Sequence, residues 1–198
     1  MSADQTFPAA GLNAPPQPAI SWSAVWAGAV VALAASLVLT LAAAGLGFDA
    51  GFPGLATRTS LKGFDPTVGA IAIAVQVLSA ALGGYVAGRT RTVWLGLHDD
   101  ESHFRDTAHG LIAWAVATIA GVLLAAMVLA PYADALAAVA PQPVMAAPTA
   151  ADAQRAAGIA AQASLFLAIG MLLSAFVAAV GARIGGLRHE EMHLKPRG

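Results

Sequence analysis

Polar and apolar residues come in blocks along this chain rather than alternating. Four runs are almost free of charge: roughly Trp22–Gly47, Thr67–Arg89, Ala108–Ala130 and Gly158–Gly185. A helix needs about 20 apolar residues to cross the hydrocarbon core of a bilayer, and each run exceeds that. Strands of a membrane β-barrel would be about half as long. The pattern therefore predicts an all-α integral membrane fold, a bundle of four transmembrane helices. The first and fourth runs are longer than the minimum and are expected to tilt.

The first run ends in "LAAAG", which looks like a cleavage site. No Lys or Arg precedes it, however, and it is about twice the length of a signal-peptide core. It reads as a retained first helix. Residues 1–20, with "NAPPQPA", form a Pro-rich leader expected to be disordered. The membrane domain is assigned to residues 21–188 and a cytoplasmic tail to 189–198.

Basic residues orient the helices. Arg89, Arg91 and Arg105 flank the second connection, and Arg183, Arg188, Lys195 and Arg197 follow the fourth run. On the other side stand Arg58, Lys62 and Arg155. The positive-inside bias puts both termini in the cytoplasm. In the third connection, "YADALAAVA" between prolines predicts a short interfacial helix.

Composition narrows the chemistry. Of 198 residues, 58% are hydrophobic and 11% charged, and the mean hydropathy is +0.71. Soluble domains carry about 25% charged residues. The net charge of −1 gives no reason to expect nucleic acid as a partner. With no cysteine, disulfides, thiolate catalysis and Cys-ligated metals are excluded.

Small residues recur every fourth position in each run. They include Gly28 in the first, Gly84 and Gly88 in the second, Gly121 in the third and Ser174 in the fourth. Such stripes allow helix backbones to approach closely where lipid offers no hydrophobic drive. Of the polar residues inside the runs, Gln76 is read as a lining or interhelical hydrogen-bonding group. Asp106 is read first as the N-cap of the third helix, with a proton or ligand role together with His109 as the alternative; Arg89, Arg183 and His109 fall at helix ends.

The second and fourth runs end alike, in "LSAALGGYVAGR" and "LSAFVAAVGAR", aligning Arg89 with Arg183. Downstream, "LGLHDDESHF" aligns with "GGLRHEEMHL", and Trp26-Ala27 matches Trp114-Ala115 in the first and third runs. Duplication of a helical hairpin and shared Ala-rich composition both account for this likeness. The alignment bears on His189-Glu190-Glu191-Met192-His193, which matches the zincin pattern H-E-x-x-H. A zincin also needs a third ligand and a substrate cleft. The tail is instead the counterpart of "HDDESH", which lacks the pattern. A weaker metal reading joins His98, His103, His189 and His193 with neighbouring carboxylates on one cytoplasmic surface, a set suited to zinc or another divalent transition metal. Its alternative is a solvated charged rim.

"ISWSAVWAGAVVALAASLVLTL", "LGGYVAGRTR" and "HGLIAWAVAT" together resemble the small bacterial inner-membrane proteins known as PhnA-like, over about residues 20–130. The resemblance implies a multi-helix inner-membrane protein and supplies no catalytic residues or cofactor. The sequence is therefore read as a non-enzymatic membrane protein without a cofactor. It is expected to act by helix packing with copies of itself, or as an accessory subunit of a larger membrane complex. The alternatives are a small channel or transporter formed between copies and the cytoplasmic metal site. Reporter fusions at position 198 and within 131–155 should report opposite sides of the membrane, with position 198 inside; a periplasmic C-terminus would overturn the orientation.

Overall fold

The computed structural model describes residues 19–46, 65–92, 99–132 and 149–194. Every described element is helical: α1 (Trp22–Gly45), α2 (Pro66–Thr90), α3 (Asp99–Leu129) with a single 3₁₀ turn at Ala130–Tyr132, and α4 (Ala150–Leu194). All four contain a stretch long and apolar enough to cross a membrane. The chain is a multi-pass integral membrane protein. The interfacial helix expected in the third connection lies outside the described residues.

Local signals set several ends. Asp65 caps α2 by accepting the Thr67 N–H at 2.8 Å, and Pro66 follows at the first helical position, where its missing N–H costs nothing. Helix α3 begins at Asp99, nine residues before the apolar run. Acidic residues at a helix N-terminus suit its dipole, and the Glu101 carboxylate accepts from Arg105 Nε at 2.8 Å, one turn on. Asp106 is therefore not an N-cap, as the sequence suggested, but lies inside α3. Helix α4 likewise outruns its apolar stretch and continues through the tail to Leu194.

The bundle is packed with small residues inside and large ones outside. Its buried apolar side chains are alanines with Val25. Val38, Leu41, Ile119, Leu172 and Phe176 are all more than 60% exposed. In water such a surface would invite aggregation. In a bilayer it is the lipid-facing side, and the small interior lets backbones touch.

Each of α2 and α3 packs on the three other helices, so together they form the short diagonal of the bundle. The end where α1 begins and α4 finishes is here termed the base. The α2–α4 seam is the closest. A Cβ built on Gly84 would collide with the Ala178 carbonyl, and one on Gly88 with that of Ala182. These contacts keep the register that aligns Arg89 with Arg183 in the sequence. On its other side α2 meets α1, where a Cβ on Gly28 would fall 2.5 Å from the Gly83 carbonyl oxygen.

Helices α1 and α3 also keep one register. Ser21 meets His109, 88 residues on, and Gly121 meets Leu33 with the same spacing. Ala29 and Ala117 share a core cluster between them. The hairpin α1–α2 thus lies flat on the hairpin α3–α4, equivalent helices side by side and pointing the same way.

Replacing Gly84 with Leu should cost at least the roughly 1–3 kcal/mol typical of overpacking, because the obstacle is backbone. Gly158→Ala, in open space on α4, should not lower thermal melting of the bundle in detergent and should raise it slightly, because alanine is the better helix former. Equal melting for the two variants would show that the Gly84 face does not bear a neighbouring helix.

Candidate functional site: a buried ion pair at the base and a polar cleft above it

The largest fully buried side chains include three that a hydrocarbon-embedded bundle should avoid: Arg91, Asp106 and His109. Arg91 is the first residue past α2, where the backbone leaves helical geometry for an extended conformation. Its side chain turns into the base and meets Asp106 on α3. The Arg91 Nε faces Asp106 Oδ1, and Arg91 Nη2 donates to Asp106 Oδ2 at 3.0 Å, giving a two-pronged guanidinium–carboxylate pair. Gly186 of α4 closes over the carboxylate, since a Cβ there would strike Asp106 Oδ2. The pair therefore joins α2 to α3 beneath α4.

One turn further along α3, His109 joins the helix to α1. Its Nε2 accepts the backbone N–H of Ser21 at 2.8 Å, and its Nδ1 stands 2.6 Å from the Arg105 carbonyl. A backbone N–H only donates, so Nε2 must carry no proton, and Nδ1–H donates to Arg105. The ring is thus fixed as the neutral Nδ1–H tautomer, with both nitrogens engaged. Trp114 makes a third link: its Nε1 donates to Ser174 Oγ at 2.9 Å, and that hydroxyl donates to the Met171 carbonyl at 3.0 Å. Placing His109 at a helix end, as the sequence suggested, missed its complete burial.

Away from the base, α1, α2 and α3 enclose a cleft of about 380 Å³. Its lining runs from Ala32, Ala80 and Trp114 towards Thr40 and Ala125, in the half of the bundle far from the base. Below it the α1–α2 seam is pinched shut at Gly28 and Gly83. Gln76 stands in the lining, with its Oε1 beside Gly170 of α4.

The residues singled out from sequence fall in different places. Gly28, Gly84, Gly88 and Ser174 are buried between helices, and Gly121 lines the cleft beside Leu33. His98 lies outside the described residues, as does the side chain of His193; His103 and His189 are half-buried on α3 and α4. Among the described residues, no three His, Asp or Glu side chains stand close enough to hold a metal. Arg91 was not singled out for burial; the arginines flagged by the sequence repeat were Arg89 and Arg183. A signal did exist. The buried stripe Ala113–Ala117 on α3, extended backwards by one helical turn and then another, passes through His109 and Asp106.

No family model, curated protein or solved structure matches this chain.

Removing one member of the buried pair strands the other charge, which typically costs about 3–5 kcal/mol. Arg91→Gln and Asp106→Asn should each destabilise the bundle on that scale in thermal melts, while Arg91→Met with Asp106→Leu should recover most of the loss. Single variants that melt like the parent would mean that the pair does not hold the base together.

Proposed function

We propose that the protein works without chemistry of its own, as a packing subunit that associates through its helices with other copies or with a larger membrane complex. The observation supporting this reading most directly is the first part of α4. From Ala150 to Ile169 nearly every described side chain is exposed, whereas from Gly170 onward small residues press against α2 and α3. The exposed part contains "AAGIAAQAS", a run of small residues of the kind that membrane helices use to approach one another. A helix of 45 residues spans roughly 65–70 Å, about twice the length of α1. In this reading the exposed first part of α4 is where a neighbouring helix packs.

The interior supports the same reading. Arg91, Asp106, His109, Trp114 and Ser174 all tie helices together. A groove that closes at Gly28 and Gly83 does not offer a solute a way through one chain. The resemblance to PhnA-like proteins also points to a multi-helix protein of the bacterial inner membrane, with both termini cytoplasmic by the basic-residue bias.

Because the chain has no cysteine, a single Ala157→Cys substitution gives an unambiguous cross-linking probe. Oxidation in native membranes should yield a covalent dimer or an adduct with a larger membrane protein. A protein that stays monomeric on oxidation and elutes as a monomer from mild detergent would contradict the packing role.

A further inference from the structure

The cleft between α1, α2 and α3 has a particular hydrogen-bonding character. Four hydroxyls line it, and each gives its proton to its own helix: Ser36 to Leu33, Thr40 to Ser36, Ser79 to Val75 and Thr118 to Trp114, at 2.7–2.8 Å. A hydroxyl whose proton is committed in this way keeps lone pairs and acts as an acceptor. The lining therefore presents acceptors from three helices. Gln76 adds an amide with two N–H donors, and among the described residues that amide has no hydrogen-bond partner. An unsatisfied amide at membrane depth is costly, because hydrocarbon cannot replace the bonds water would make.

None of the lining residues is charged, and the rest are apolar or small. A phosphate head would have to shed its water there with no cation to meet it. An uncharged head carrying both a hydroxyl and a carbonyl fits both halves of the lining. Its O–H donates to the Ser and Thr oxygens, and its carbonyl accepts from Gln76. At about 380 Å³ the cleft lies near the lower end of ligand pockets, with room for such a head and its first carbons. The apolar remainder of the molecule stays in the bilayer from which it came.

We propose that this cleft binds an uncharged membrane lipid with a hydroxyl- and carbonyl-bearing head, of the diacylglycerol type. The site is independent of the association surface on α4, and either reading can fail without the other.

The full-length protein, purified in mild detergent and exposed to equal amounts of 1,2-dioleoylglycerol and dioleoylphosphatidic acid, provides the test. The two probes share their chains and differ by one phosphate. Native mass spectrometry should show one dioleoylglycerol retained per chain and little phosphatidic acid. Gln76→Leu should weaken retention about tenfold and Thr118→Val about threefold, the scale of single hydrogen bonds of roughly 0.5–1.5 kcal/mol. Gln162→Leu, exposed on α4, should leave retention unchanged. If Gln76→Leu fails to fold, the nearly isosteric Thr118→Val carries the test alone. Equal retention of both lipids, or dioleoylglycerol retention unaffected by either cleft variant, would reduce the signal to lipid on the outer surface and overturn the proposal.

Discussion

Helix α2 can sit at the centre of this bundle because its neighbours reach its backbone. In hydrocarbon, apolar side chains gain nothing by leaving lipid for protein, so helices associate through close contact and interhelical hydrogen bonds. Gly84 and Gly88 remove the side chains that would hold α4 away, and Gly28 and Gly83 do the same towards α1. With both seams this tight, α2 is fixed between its neighbours and the chain leaving its end is delivered into the base. Arg91 is buried as a consequence. A buried guanidinium is tolerable only against a carboxylate, and Asp106 supplies it from α3. The close seams and the polar base are thus two parts of one arrangement.

The same reasoning explains where polar groups stand. At the base, the fully buried polar side chains are matched across helices: Arg91 with Asp106, and His109 with the Ser21 backbone. Groups paired in this way position the helices relative to one another. Further up, as the helices separate beyond Ala32 and Ala80, the cleft opens and its hydroxyls turn their protons back onto their own helices. The bundle therefore pairs its buried charges at the base, while the cleft further up, with Gln76 in its lining, is where the proposed lipid site lies.

Much of the fold was legible in the sequence because membrane helices write themselves in long blocks. The four runs and the stripe through Gly84 and Gly88 needed no tertiary information. Helix ends were less legible. Hydropathy marks where lipid begins, not where hydrogen-bonded backbone stops, so α3 starts at Asp99 and α4 continues to Leu194 through polar sequence. The Arg91–Asp106 pair was hidden for a related reason. A charge beside an apolar run looks the same in sequence whether it faces water or turns inward, and only the burial of α2's end decides between them. The cleft was legible in one residue, Gln76; the hydroxyls around it come together only through packing.

The central claim is that two hairpins lie on each other in register, with α1 against α3 and α2 against α4. Because the chain contains no cysteine, disulfide mapping tests it directly. Ala29 and Ala117 share a core cluster between α1 and α3, so Ala29→Cys with Ala117→Cys should cross-link rapidly in membranes, far faster than the off-register pair Ala29→Cys with Ala125→Cys. Equal rates for the two pairs, or cross-linking of the off-register pair alone, would contradict the account.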